Sequence, residues 1–139
     1  MGMKWFFIII GVLVAVPLVF FSGIYTASEL GGEVVVLHRN SSNEPLDRVR
    51  IWIVEDTTGT WVEHGGADAT WIARLKADPS VTIERNGAPA TYQGQADPHA
   101  HDRYHQLRRE KYGFADEVVE MASGGHDACD GIPVRLETL

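Results

Sequence analysis

The stretch GGADATWIARLKADPSVTIERNG, residues 65–87, contains a complete junction from helix to strand, and this junction indicates the class of the fold. Asp68 precedes the helix and is the type of residue that caps a helix N-terminus. The apolar residues of the helix recur at i, i+1 and i+4 and form one face: Trp71, Ile72 and Leu75. Pro79 ends the helix, because the residue before a proline is disfavoured in the helical conformation. Val81 and Ile83 then alternate with polar residues, which indicates a strand with one face in a core.

Alternating apolar residues predict further strands on both sides of this junction. In residues 48–56, Val49, Ile51 and Ile53 fall on a core face, and the opposite face carries cations and an indole. The predicted elements are, in order, strands at 33–40, 48–56 and 60–66, the helix above, strands at 80–87 and 90–96, helices at 97–113 and 114–123, and a strand at 131–139. Tight turns join most of the strands. This order predicts a mainly β (α+β) fold, a small antiparallel barrel with helices across its openings.

The N-terminal segment is unlike the rest of the chain. Residues 5–25 contain no charged side chain, and a helix of roughly 21 residues is about 31 Å long, close to the thickness of a bilayer core. A cleaved signal peptide is the alternative, but its apolar region is about 7–15 residues long. We therefore predict a single-pass membrane anchor at 1–27 and one domain at 28–139. Lys4 favours an N-terminus inside the cytoplasm and a domain outside it.

Charge and cysteine content exclude some classes of function. The chain has 12 basic and 19 acidic residues, a net charge of −7 at pH 7. Nucleic acid is not an expected partner, because binding to phosphates needs clustered Lys and Arg. Cys129 is the only cysteine, which excludes an intrachain disulfide and a cysteine-rich zinc site.

Two groups of potential metal ligands occur late in the sequence. His101 and His105 are four residues apart and share a helix face, where His99 or Asp102 would complete a metal site. Exposed helices often carry such histidine pairs without a metal, and no metal site is predicted. Residues 126–130 contain two aspartates, a histidine and the cysteine, but their spacing matches no metal template and indicates a loop.

The chain as a whole resembles the deazaflavin-dependent nitroreductase and quinone-reductase family, whose split β-barrel is also that of flavin-binding pyridoxamine-phosphate oxidases. The Gly-Gly turn, the aromatic-led helix and the Leu-Lys-Ala-Asp-Pro run within residues 65–87 carry the resemblance. The preceding hairpin at 52–66 and the closing strand GIPVRLETL at 131–139 also match. The resemblance covers residues 33–137, nearly the whole domain.

This resemblance implies a split β-barrel with covering helices and a membrane-anchored oxidoreductase. Hydride would pass from a reduced deazaflavin, or alternatively FMN, to a quinone- or nitro-type acceptor. The cofactor supplies the hydride chemistry, so no catalytic acid or base is predicted. A homodimer is also implied, since barrels of this family commonly pair.

The resemblance also implies the residues of the cofactor site, and Tyr112 on the substrate side. The expected cofactor contacts are Arg48, Arg50, Trp52, His64, Gly65, Gly66 and Trp71. Trp71 and Tyr112 have an alternative role as packing residues, and Arg50 as the partner of a surface acid.

Two features favour a second hypothesis, a non-catalytic split barrel that is tethered to the membrane and binds a small ligand or a protein partner. Relatives carry a basic Gly-Arg-Lys-Ser-Gly loop, but residues 39–48 read RNSSNEPLDR and contain no lysine. Deazaflavin is made in the cytoplasm, whereas Lys4 favours a domain outside it.

Overall fold

The computed structural model of the chain describes residues 2–30, 32–39 and 47–139. It begins with a long apolar helix, α1 (Met3–Leu30), which contains Pro17. The section Lys4–Thr26 has a mean hydropathy of 2.7 and is long and apolar enough to cross a membrane, and none of it is buried against the domain. The predicted apolar N-terminal helix is therefore present.

Six antiparallel strands form a closed barrel in the order β1-β2-β3-β6-β5-β4. Their bounds are β1 (Val34–Arg39), β2 (Asp47–Asp56), β3 (Gly59–Glu63), β4 (Ser80–Arg85), β5 (Ala88–Ala96) and β6 (Pro133–Thr138). Pairing of β1 with β4 closes the barrel, so that no strand edge is left open. The predicted fold class, a small split barrel with covering helices, is confirmed.

The barrel interior is filled by the apolar residue at every second strand position. These residues are Val35, Leu37, Ile51, Ile53, Val62, Val81, Ile83, Val134 and Leu136. The predicted core faces of β2 and β4 are thus confirmed. The short helix α2 (Thr70–Arg74) adds Trp71 and Ile72 to the same cluster, and Leu75 follows directly after it, so that this helix covers one opening of the barrel.

Two expectations about α2 were wrong. Ala69, not Asp68, is the N-cap residue, and no side chain caps the helix. The helix also ends at Arg74 instead of continuing to Asp78. The N–H groups of Ala77 and Asp78 both donate to the Arg74 carbonyl, at 2.9 and 2.8 Å, so the last residues before the proline form a tight turn. The Ala77 bond spans three residues, the 3-10 pattern that is frequent where an α-helix ends.

The remaining helices lie against the outer wall of the barrel rather than across an opening. They are α3 (His101–Tyr112), preceded by a 3-10 turn at Pro98–Ala100, and α4 (Phe114–Ala122). Tyr104, Leu107 and Tyr112 of α3 pack on the outward-facing side chains Trp52 and Val54 of β2. On the face of β2 that was expected to meet a ligand, Trp52 and Val54 are thus covered by protein, whereas Arg48 and Arg50 are exposed.

Tyr112 holds the end of α3 on β2. Its ring stacks on Trp52, with centroids 4.4 Å apart and planes 9° from parallel. The Ile53 N–H donates to the hydroxyl oxygen at 3.1 Å, and the hydroxyl has the carbonyls of Glu33 and Ile53 within 2.8 Å as acceptors. Ile53 lies one residue beyond the last β1–β2 pair, so the hydroxyl continues the hydrogen bonding where β1 has ended. A side chain at Gly32 would overlap the ring, since its Cβ would lie 2.0 Å from Tyr112 Cδ1.

The carboxylate of Glu33 forms a second contact between the barrel and α3. Arg85 donates to both of its oxygens, and Lys111 donates to Oε2 at 2.8 Å. Burial raises the pKa of Glu33, but hydrogen bonds from Lys111 and Arg85 outweigh burial and hold that pKa below its usual value.

We predict that Tyr112→Phe lowers the free energy of unfolding by about 1–3 kcal/mol, because the buried Ile53 N–H loses its acceptor while the ring stack is kept. Urea unfolding of the full chain in detergent micelles measures this. Tyr92→Phe is the control, since Tyr92 is half-buried against the core and its hydroxyl has no hydrogen-bond partner among the described residues. Equal losses for the two variants would contradict the assigned role of the Tyr112 hydroxyl.

We predict that Glu33→Gln destabilises the domain at pH 7 and that the difference from wild type shrinks below about pH 4. A depressed pKa in the folded state contributes stability above the pKa of the unfolded chain, and this stability is lost as the pH falls. The loss at pH 7 should stay below about 1 kcal/mol, because the pair is partly exposed. Thermal unfolding at several pH values tests this, with the exposed Glu137→Gln as control; a loss that is independent of pH contradicts it.

Candidate functional site

A cleft of about 810 Å³ lies between α2 and β5. This volume is within the range of roughly 300–1,000 Å³ that is typical of small-molecule sites. Ile72, Leu75 and Ile132 give it apolar walls. The charged and amide side chains that line it are Lys76, Gln93, Gln95 and Glu137. Apolar walls with a few polar groups suit a flat, largely apolar ligand.

The Gly-Gly turn before α2 lies next to this cleft but is packed against the protein itself. Gly65 has φ +89°, which favours glycine, and its carbonyl accepts from the Ile132 N–H at 3.1 Å. A Cβ at Gly66 would lie 3.1 Å from the Asp130 carbonyl oxygen. The close approach that these glycines allow is thus to residues 130–132 of the same chain.

Trp71 is a core residue with an anchored ring. Its indole Nε1 donates to the His64 carbonyl at 2.6 Å, and its side chain is buried in the barrel cluster. The bond fixes the turn relative to α2. This position matches the packing alternative for Trp71.

The predicted residues of β2 lie on another side of the barrel. Arg50 and Trp52 line a cavity of about 150 Å³ together with Glu63 and Arg108. That volume is below the range of small-molecule sites, and the Trp52 ring is stacked on Tyr112. The predicted cofactor residues are therefore divided between two places and do not form one site. Their role in cofactor binding stays a prediction.

The charges available for a cofactor phosphate are few in the part of the chain that the structure describes. Arg48 pairs with Glu84, which also contacts His38 Nε2 at 3.1 Å. Helix α2 has five residues, so its dipole is too short to favour an anion strongly at its N-terminus. Residues 40–46, most of the loop expected to hold the phosphate, lie outside the described residues. Among the described residues that line the cleft, Lys76 is the cation. The cleft therefore offers more apolar surface than positive charge.

The fold brings His101 and His105 close to His126 and Glu63, which the sequence analysis did not group with them. His101 and His105 share a face of α3 as predicted, with ring centroids 4.5 Å apart. His126 begins a 3-10 turn, and its ring centroid is 4.5 Å from that of His105. Glu63 at the end of β3 is 3.9 Å from His105 Nε2. Sequence analysis missed Glu63 because no local pattern connects a strand end to a helix so far along the chain.

Comparison with known proteins gives little beyond the fold. No family model matches the sequence. No curated protein matches it either. One solved structure that the chain resembles is a putative pyridoxamine 5′-phosphate oxidase from Listeria innocua, with a TM-score of 0.48 and 11% identity. The match covers 83% of this chain and 90% of that chain.

Proposed function

We propose that this chain is a membrane-anchored oxidoreductase whose split barrel holds a deazaflavin or FMN ring in the cleft between α2 and β5. The acceptor of the hydride would be a quinone- or nitro-type compound. The observation that carries the proposal is the cleft itself, which has the size and the apolar walls for such a ring. Residues 65–87 and the closing strand, which carry the sequence resemblance, also supply much of its lining.

Individual residues of the cleft would have separate tasks. Ile72 and Leu75 offer apolar surface to the ring, and the amides of Gln93 and Gln95 offer hydrogen bonds to its polar edge. Lys76 would hold the phosphate. When bound, the cofactor supplies hydride transfer, and the protein supplies binding, orientation and exclusion of water.

The position of α4 supports a location beside the membrane. Helix α4 neighbours α1, and it exposes Phe114 and Met121, at 75% and 71% of their full accessible surface. Apolar side chains on a short exposed helix favour the interface between water and lipid. A domain held there would meet acceptors that are dissolved in the bilayer.

The second function, a non-catalytic binder of a small ligand or a protein partner, is favoured by the scarcity of cations. Lys76 is the one basic residue among the described residues that line the cleft. A cleft with a single positive charge would bind a cofactor with a phosphate and an acidic tail weakly. The two functions share the fold and the anchor and differ in whether a flavin-type cofactor binds.

We predict that the full chain in detergent micelles binds deazaflavin or FMN in the micromolar range, measured by fluorescence quenching with each ligand separately. Ala73→Trp should weaken binding at least about tenfold, or about 1.4 kcal/mol, because the indole would fill the cleft. Ala88→Trp is the matched control, since Ala88 is exposed and lies outside the cleft lining. Binding of neither ligand by the folded chain would reject the oxidoreductase and leave the second function.

Arg50→Ala distinguishes the two places that the predicted cofactor residues occupy. Arg50 lines the small cavity on the β2 side, so its loss should leave the affinity unchanged if the ring lies in the cleft. A loss of affinity in Arg50→Ala but not in Ala73→Trp would indicate that the ligand binds on the β2 side and not in the cleft. Trp71→Ala does not serve this purpose, because removing a buried core tryptophan costs about 3–5 kcal/mol of stability.

The anchor leads to a separate prediction. The full chain should stay in the membrane fraction after alkaline carbonate extraction, because α1 contains an apolar span of 23 residues, long enough to cross a bilayer. The same chain without residues 1–27 should move to the soluble fraction. Release of the full chain by carbonate would contradict a spanning helix.

A further inference from the structure

Four side chains with metal-binding atoms converge between β3, the first turns of α3 and the loop after α4. Glu63 ends β3, His101 and His105 lie on α3, and Cys129 follows the 3-10 turn at His126–Ala128. One ligand atom from each of the four lies within 4.8 Å of the others. No member of this group lines the cleft between α2 and β5.

Two separations in this cluster are close to the spacing of ligands around a tetrahedral ion. His105 Nε2 is 3.9 Å from Glu63 Oε1, and the Cys129 thiol donates a hydrogen bond to the same oxygen at 3.5 Å. Ligands at roughly 2.0–2.3 Å from a tetrahedral Zn²⁺ are roughly 3.3–3.8 Å apart. The histidine–carboxylate separation is too long for a hydrogen bond, so direct pairing does not explain why these two groups face each other.

Buried polar atoms without partners are concentrated in the cluster. In the described parts of the chain, eight buried side-chain nitrogen or oxygen atoms have no hydrogen-bond partner. Four of them are in the cluster, namely both ring nitrogens of His105, His101 Nε2 and Glu63 Oε2, and a fifth, Glu120 Oε1, lies beside it. A buried polar group normally has a partner, because losing its hydration without replacement is costly. A metal ion would give the imidazole lone pairs and the carboxylate the partner that the protein does not provide.

The second ring nitrogen of each histidine lies near a carboxylate, beyond hydrogen-bond distance. His105 Nδ1 is 3.8 Å from Glu120 Oε1, and His101 Nδ1 is 3.7 Å from Asp102 Oδ1. Histidines that bind metals usually direct their other N–H to a carboxylate or carbonyl, which fixes the tautomer and the ring orientation. Glu120 is in turn held by Arg109 and would serve as the positioning residue of His105 in the metal-bound site.

The charges of the donor set would also balance on binding. A deprotonated thiol and carboxylate would offset the charge of a divalent ion, and two neutral imidazoles would complete the coordination.

We propose that Glu63, His101, His105 and Cys129 bind a divalent transition-metal ion of the Zn²⁺ type. Two imidazoles, a thiolate and a carboxylate form a donor set that favours Zn²⁺ over Mg²⁺ or Ca²⁺, which prefer oxygen ligands. A cleft of about 440 Å³ opens onto His105 and His126 and gives the ion a path from solvent. The metal site shares no residue with the proposed cofactor cleft. The test of metal binding is therefore independent of the test of the oxidoreductase function.

The test is metal binding by the reduced, chelator-treated full chain in detergent micelles. We expect one Zn²⁺ or Co²⁺ per chain and no competition from Mg²⁺. The cobalt form should show the strong visible absorption of a tetrahedral site and a near-ultraviolet thiolate charge-transfer band, which Cys129→Ser removes. Absence of stoichiometric binding by the wild-type chain would overturn the proposal.

Variants separate direct ligands from positioning residues. His105→Gln should weaken Zn²⁺ binding by more than about 100-fold, and Glu120→Gln by about 10–100-fold, the effect typical of an outer-sphere partner. His99→Gln is the matched control, because His99 is exposed, lies two residues before His101 and takes no part in the cluster. Equal affinity in wild type, His105→Gln and Cys129→Ser would overturn the assignment.

A measurement on the unmodified chain covers the case in which a variant does not fold. Cys129 is the only cysteine, so alkylation of the full chain reports on this one thiol. Zn²⁺ should slow its alkylation strongly, because a bound thiolate is not free to act as a nucleophile. An alkylation rate that saturating Zn²⁺ does not change would overturn the proposal without any substitution.

Discussion

The contact of Tyr112 with Trp52 and Ile53 of β2 fixes the outer helix on the barrel. Its hydroxyl satisfies the Ile53 N–H at a point where β1 no longer pairs, and its ring fills the space between Trp52 and Gly32. Because a helix is stiff, fixing the last residue of α3 also fixes its first turns, which lie about 10–16 Å away at a rise of about 1.5 Å per residue. This places His101 and His105, which lie in those turns, close to Glu63. The packing of Tyr112 on β2 thus helps to determine the geometry of the proposed metal cluster.

Local sequence patterns were sufficient for the elements and their order. The alternation that places Ile51 and Ile53 inward, and the apolar face of α2, follow from chemistry within a few residues. The insertion of β6 between β3 and β5 depends on pairing between distant segments, which no local pattern specifies. The outer face of the β2–β3 hairpin is apolar, because it carries Trp52, Val54 and Trp61, and this pattern is visible in the sequence. That apolar face indicates a covering helix. The resemblance to cofactor-binding relatives implied a cofactor contact for Trp52, which stays a prediction.

The site could be predicted only in part, for a related reason. The histidine pair of α3 is visible at a spacing of four residues, but Glu63 and Cys129 join it through the tertiary fold. Short caps and helix ends are set by competing hydrogen bonds of similar strength, so Asp68 offered a capping side chain that the folded turn did not use. The glycines of the turn were expected to make room for a ligand. In the structure Gly66 lies close to Asp130 and the Gly65 carbonyl accepts from the Ile132 N–H, and a contact of these glycines with a cofactor stays a prediction.

Residues 129–132 connect the two candidate sites. Cys129 belongs to the proposed metal cluster, and Ile132 lines the cleft between α2 and β5. Between them, Gly131 packs so closely on Glu63 that a Cβ would lie 2.5 Å from Glu63 Cδ, and Asp130 contacts Gly66. An ion bound through Cys129 would restrain this segment and with it one wall of the cleft. Coupling between two bound ligands requires an element whose arrangement both of them affect. In the described structure, residues 129–132 form a segment that touches both sites.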